Sequence, residues 1–466
     1  MRGRPGTSRP LVRLAVPSGW GACLLLLLLC AGGLTAAVQT GSIRSLSREA
    51  AVDIALQQSP QLLEARAREE RAEGASLRAS APLYPRLTAT GSYEDRDPGL
   101  RDTNDRDGGE NAEEPTPDDA DTDVTSQSAR VQGEIRQTLF DGLRSVYRHR
   151  AGRKEVEAER LRLRQVERNV AEAVRTAYDE ALLAARTVEF RAERHARLRE
   201  LEAMVGERVA GGTAMDYQLQ QARIERQRAE VDLRRADVRA REARLALLDA
   251  IGWEGEEPPE FSLSDPLEPV VEDVPPRLDP SRLAAAYPEI ESFRASAEAA
   301  RFEATAARLG AIPSLEAYAN YQYKTSYYDF DDRLHGWAAG VVVQWNLFDG
   351  FARRGAVREA LADRRLYEDR ARTTEGQVRR ALRLARERLR RSLEALAAEE
   401  SSLRLAERSS NQARILFEEG RVSLEQVLRT ELSLEEARNR RAEAVQRLNA
   451  AYYRYQSLAG FAPRHS

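Results

Sequence analysis

The sequence predicts a mainly α-helical chain, internally duplicated, with membrane-type β-strands set between long helices. Three observations predict this. The tetrad Leu139-Phe140-Asp141-Gly142 recurs as Leu347-Phe348-Asp349-Gly350, 208 residues later. Proline is absent from Asp118 to Glu257 and from Ser314 to Ala462, so two long windows lack the residue that breaks helices. Four segments alternate apolar and polar residues with the period of a strand.

The repeat sets the boundaries. Gly212 and Gly420 keep the 208-residue spacing, as do Ile251-Gly252 and Ala459-Gly460. Upstream the spacing is 228, from Pro60 to Pro288, Pro85 to Pro313 and Tyr93 to Tyr321. The extra 20 residues therefore fall between Tyr93 and Leu139. A period this long marks a duplicated domain and not an array of short repeats.

Residues 1–37 read as a secretory signal. Arg2, Arg4, Arg9 and Arg13 precede an apolar run centred on Leu24 to Leu29, and Thr35-Ala36-Ala37 closes it. The other reading is a retained anchor, but Pro17, Gly19 and Gly21 shorten the apolar run. Leu29 stands where a lipobox needs a small residue, so lipidation of Cys30 is not expected. Cys23 and Cys30 are the only cysteines, and both leave with the signal.

The first structural repeat spans 38–252. It is expected to hold a helix over 47–82, strands over 86–94 and 127–140, a long helix over 142–208 and a return helix over 213–251. A proline-rich linker over 253–280 carries Pro258, Pro259, Pro266, Pro269, Pro275 and Pro276. The second repeat, 281–460, is expected to hold a helix over 281–311, strands over 314–324 and 335–347, a long helix over 350–417 and a return helix over 423–459. A tail, 461–466, follows.

In the first long helix the apolar series Leu163, Val166, Val170, Val174, Ala177, Ala181, Ala184, Val188 and Ala192 steps by about 3.6 residues, the α-helical period and not the 3.5 of a heptad. Gly142 to Arg208 would reach about 100 Å. Helix composition alone favours a coiled-coil hairpin in water. The strands point elsewhere. Leu87, Ala89, Gly91 and Tyr93 alternate with polar residues, and so do Val131, Gly133 and Ile135. Leu315, Ala317, Ala319, Tyr321 and Tyr323 repeat the pattern, followed by Trp337, Ala339, Val341, Val343 and Trp345. Their lengths suit tilted membrane strands, and Tyr323, Trp337 and Trp345 lie near strand ends, where an aromatic belt forms. A soluble antiparallel sheet alternates in the same way. Two hairpins cannot close a barrel, which needs about eight strands, so a membrane barrel must be shared between chains.

Composition excludes several classes. Hydrophobic residues make up 42% and charged residues 32%. Beyond the signal, no apolar stretch is long enough for a membrane helix. A net charge of -3 speaks against a nucleic-acid partner. His149, His195, His335 and His465 are scattered without ligand spacing, and no catalytic or nucleotide motif is convincing. No enzyme activity, cofactor or metal is expected. Asp141 and Asp349 could suggest a carboxylate pair, but each opens a helix and is expected to cap free backbone N–H groups, with Gly142 and Gly350 completing the strand–helix junctions. Residues 94–123 hold thirteen acids against Arg96, Arg101 and Arg106 and read as a solvated outer loop. Thr103 to Glu114 is a near miss to a calcium-binding loop, with Thr in place of the first Asp.

The duplicated halves, the tetrad at each junction and the tip segments together resemble the TolC family of outer-membrane efflux channels, over roughly residues 45–460. The tip Gly420-Arg421-Val422-Ser423-Leu424-Glu425-Gln426-Val427-Leu428 is similar to the family's G-x-x-[ST]-x-x-[DQ]-V-L pattern. Gly212-Thr213-Ala214-Met215-Asp216-Tyr217-Gln218-Leu219 fits it more loosely. The resemblance implies a homotrimer in the outer membrane of a Gram-negative bacterium. Its 12-stranded β-barrel, four strands per chain, would contact outer-membrane lipid and continue as an α-helical barrel in the periplasm. It implies an exit duct for a tripartite efflux pump or type I secretion system. Tips at Gly211, Gly212, Thr213, Gly420, Arg421 and Val422 would dock a periplasmic adaptor (membrane fusion) protein that leads to an inner-membrane pump. Family members often carry acids six and nine positions after the tip glycine, forming a constriction. Here Gln218, Gln426 and Arg429 hold such places, so the expected constriction is neutral or positive. The alternatives are an exported structural coiled-coil protein and the periplasmic adaptor of such a system.

Overall fold

A computed structural model describes residues 45–96, 126–255, 258–276, 279–326 and 333–460. The expected signal at 1–37, nearly all of the acidic segment at 94–123 and the tail at 461–466 lie outside these residues.

Each half opens with two helices in place of one. Strand β1 (Ser45–Leu46) leads into α1 (Arg48–Gln58), which Ser47 caps by accepting the Ala50 N–H at 3.2 Å. The expected helix over 47–82 breaks at Ser59, whose extended backbone precedes Pro60, and α2 (Pro60–Ser80) starts afresh. A short 3-10 turn, Ala81–Leu83, ends it. In the second half the expected helix over 281–311 divides likewise, into α5 (Pro280–Ala285) and α6 (Pro288–Leu309). Proline sits in the first turn of α2, α5 and α6, where its missing N–H costs nothing.

The strands are β2 (Arg86–Arg96), β3 (Ser126–Phe140), β5 (Ser314–Ser326) and β6 (Arg333–Gln344); the two-residue β4 (Ser262–Leu263) pairs in parallel with β1. The four long strands form one antiparallel sheet in the order β2-β3-β5-β6. The halves meet at β3 and β5, and β2 and β6 are open edges. β6 stops at Gln344, short of the expected 347. The next residue, Trp345, leaves the ladder and its indole N–H donates to the Ala311 carbonyl at 3.0 Å.

From the sheet run the long helices α3 (Arg144–Ala210) and α7 (Ala352–Glu418), 67 residues each and therefore about 100 Å. Each returns through a 36-residue helix, α4 (Asp216–Ile251) or α8 (Leu424–Ala459). Near the sheet α3 packs between α2 and α6, and farther out against α4 and α8. Alanines fill many of the seams, among them Ala151, Ala158, Ala171, Ala222, Ala229 and Ala236, and let the backbones approach closely. Among the described residues no helix is long and apolar enough to cross a membrane.

Candidate functional site

Strand register builds the first functional surface. Directly paired residues of an antiparallel sheet point to the same face. Leu87, Gly91 and Tyr93 pair with Ile135, Val131 and Ala129. Ile135 and Val131 pair with Ala319 and Tyr323, and Gly133 with Tyr321. Tyr321, Ala317 and Leu315 pair with Trp337, Val341 and Val343. One face of all four strands is thus apolar. It is also bare: Leu87 is 75% and Trp337 79% exposed. The opposite face carries Thr88, Glu134 and Asn320 in one row and Thr90, Gln132 and Gln322 in the next. There Arg136 forms an ion pair with Glu134.

At the junctions the chain takes two left-handed residues in succession. Gly142 and Leu143 both have φ +68°, and Gly350 and Phe351 have φ +62° and +71°. This delays α3 and α7 by two residues relative to the expected starts at 142 and 350. Asp141 is buried and accepts the Ser145 N–H at 2.8 Å and its hydroxyl; Asp349 accepts the Arg353 N–H at 3.1 Å. Both carboxylates therefore sit on the free N–H groups of a helix start.

The tips form a second surface. Gly212 and Gly420 take φ +71° and +73° to end α3 and α7. The Thr213 N–H returns to the Arg208 carbonyl at 2.9 Å and the Arg421 N–H to the Leu416 carbonyl at 2.8 Å. The two tips are joined. Leu198, Leu201, Val205, Phe417, Leu424 and Val427 make one apolar cluster, against which Leu219, Val422 and Leu428 pack. The Arg208 guanidinium lies 4.6 Å from the Phe417 ring centre and donates to the Phe417 and Glu418 carbonyls at 3.1 Å each, satisfying the last turn of α7. Of the expected docking residues, Gly211, Gly212, Thr213, Gly420 and Arg421 are exposed, and Val422 is half-buried.

The expected constriction residues differ in setting. Gln218 is half-buried and accepts the Met215 N–H at 3.1 Å, capping its own helix. Gln426 is exposed, and its N–H reaches Ser423 Oγ at 3.4 Å. Arg429 is exposed and pairs with Glu425 one turn earlier at 2.7 Å.

Two buried polar clusters escape the sequence reading. In the first, Asp179 is fully buried and accepts from Arg48 (2.7 and 3.0 Å), Asn449 (2.9 Å) and Tyr453 (3.1 Å). Asn449 also binds the linker through the Glu268 carbonyl and the Val270 N–H. Burial, and then the charge of Asp179, pushes the Tyr453 hydroxyl up, so it stays a donor. In the second, Arg191, Arg194 and Arg197 of α3 meet Glu435 and Glu431 of α8 at 2.5, 3.2 and 2.7 Å. Burial pushes the Glu435 carboxyl up against the opposing pull of Arg191 and Arg194. In a chain this rich in Arg and Glu, no pattern separates the buried pairs from the surface ones. Among the described residues no three His, Cys, Asp or Glu side chains group as metal ligands do.

The outer membrane efflux protein family's sequence profile matches residues 51–253 and 280–460. No curated protein matches. Three solved structures are similar. The outer membrane channel CmeC of Campylobacter jejuni is 15% identical, with 89% of this chain and 85% of that chain covered and a TM-score of 0.70. The open state of the MtrE outer membrane channel of Neisseria gonorrhoeae is 17% identical, with 88% of each chain covered and a TM-score of 0.70. The outer membrane protein VceC of Vibrio cholerae is 18% identical, with 89% and 96% covered and a TM-score of 0.67. Identities this low speak for the fold.

Proposed function

Since this chain belongs to the outer membrane efflux protein family, we propose that three copies join edge to edge as an exit duct through the outer membrane of a Gram-negative bacterium. β6 of one copy pairs with β2 of the next, so that no strand edge stays open. The apolar face meets lipid, the polar face lines the pore, and the long helices carry the duct about 100 Å into the periplasm. The duct is a passive conduit with no catalytic step. Its tips dock a periplasmic adaptor, and an inner-membrane pump supplies the energy.

The observation that carries this reading is the bare apolar face over all four strands, continuous with helices of that length. A soluble coiled-coil protein would turn the same face to water, at a cost of about 25 cal/mol for every Å2 left uncovered. Membrane fractionation and single-channel recording test the reading: the protein partitions with the outer membrane and conducts. Recovery from the soluble periplasm without detergent would defeat it. At the tips, Gln218, Gln426 and Arg429 make a constriction that is neutral or positive. Strong block by divalent cations from the periplasmic side would count against that assignment.

A further inference from the structure

Just below the sheet, α2, α3 and the turn at 81–83 flank an open groove of about 830 Å3. Its sheet-proximal end is lined by the exposed side chains of Leu83 and Tyr84. Its α3 wall presents His149, Arg150 and Arg153. The far end neutralises itself. Arg160 pairs there with Glu69 and Glu73 at 2.7 and 2.6 Å, and between the two ends Lys154 pairs with Glu157 and Glu298 at 2.9 and 2.8 Å. The near end does not. From Gly142 to Lys154 the chain holds no acid. Arg150 lies only over the Tyr147 ring, 5.4 Å from its centre, and Arg153 has no partner among the described residues.

We propose that this groove is a phospholipid site. It holds the phosphate of an anionic lipid of the periplasmic leaflet on Arg150 and Arg153. The acyl chains lie against Leu83 and Tyr84 and run on over the apolar face at Leu87. The site rests on the reading of the sheet as membrane-spanning. Four observations lead to it. The charge left unpaired is positive and lies at the membrane end of the groove. The exposed Leu83 and Tyr84 lie four and three residues before Leu87 of the bare strand face. The groove also lies outside the duct: Arg150 and Arg153 stand 25 residues, close to seven turns, before Arg175 and Tyr178, which hold Glu49 and Leu46. Layers added to a tube that must stay open lie on its outer side. Finally, α3 runs away from the sheet, so its side chains tilt back toward the membrane, and the long arginine stems can lie along apolar surface with their heads at the phosphate layer.

The test uses the full chain reconstituted in nanodiscs of phosphatidylethanolamine with a minor fraction of phosphatidylglycerol. Native mass spectrometry then counts the lipids retained. The wild type should retain phosphatidylglycerol in preference to phosphatidylethanolamine. Arg150→Gln with Arg153→Gln should lower that retention by tenfold or more, given a factor of about five per basic residue near an anionic surface. Arg150→Lys with Arg153→Lys should keep most of it, and Arg228→Gln with Arg234→Gln, on α4, should keep all of it. Equal retention by the wild type and the double Gln variant overturns the site, as does a wild type without lipid preference. Failure to insert into any bilayer would instead refute the membrane reading itself.

Discussion

The two halves share backbone and register yet differ in packing. Gly142 and Gly350 adopt the same left-handed turn, but a Cβ on Gly142 would meet Ile312 at 2.9 Å, whereas one on Gly350 would meet nothing within 4 Å. Asp179 is buried under four donors, while its counterpart 208 residues on, Glu387, stays near the surface and pairs with Arg390 at 2.7 Å. Asn449 and Tyr453 complete the buried cluster, whereas their counterparts Arg241 and Leu245 are exposed. The difference teaches that duplication preserves backbone angles but not burial. The segments 45–49 and 262–270 lie on α3 and α8, and there they turn positions whose counterparts in the other half stay nearer the surface into a core.

Each prediction presses on this asymmetry. Asp179→Ala should cost about 3–5 kcal/mol, because it leaves the part-buried Arg48 guanidinium with only the more distant Asp265 at 4.0 Å and the donors Asn449 and Tyr453 without their acceptor. Glu387→Ala should leave the unfolding midpoint essentially unchanged, and equal losses at the two sites would refute the asymmetry. Gly142→Ala should cost about 1–2 kcal/mol for the left-handed backbone plus about 1–3 kcal/mol for the contact with Ile312. Gly350→Ala should cost only the first part, as denaturant titration of the two variants in detergent would show. Arg208→Ala should loosen the joined tips by about 1–2 kcal/mol, seen as faster hydrogen exchange in the last turn of α7. Its counterpart, Leu416, has no such tie to lose. The smallest effect concerns pH. A carboxyl whose folded pKa is raised stabilises most below its ordinary value of 4.5, and that contribution fades as pH rises through the raised value. Thermal midpoints should therefore show a declining component above pH 4.5 that Glu435→Gln removes. The counterpart, Gln227, does not titrate.

Much of the fold is legible in residues. The tetrads mark where strand becomes helix, because an acid followed by glycine suits a helix start reached through a left-handed turn. The period-two alternation sorts Leu87, Ile135, Tyr321 and Trp337 onto one face before any pairing is known. The breaks at Pro60 and Pro288 are legible too, since proline fits only the first turn of a helix, although the expected helices over 47–82 and 281–311 run through both. Less legible is the delay at Leu143 and Phe351. A second left-handed residue that is not glycine has no signature in composition, and the surrounding packing holds it. The tips are readable as turns from Gly212 and Gly420. That Arg208 reaches across to the end of α7 is not, for its partners are backbone carbonyls 209 and 210 residues away.

By itself the sequence determined the local geometry: the duplicated register, the two faces of each strand, the helix period and the turns. These follow from steric limits and periodicities that act within a few residues. Only the tertiary structure decided which charges are buried. Asp179, Glu435 and Arg194 look like their many surface neighbours in the sequence. Their burial depends on what another helix brings opposite them, and the energy of a charge is set by that distant partner and by the water it displaces.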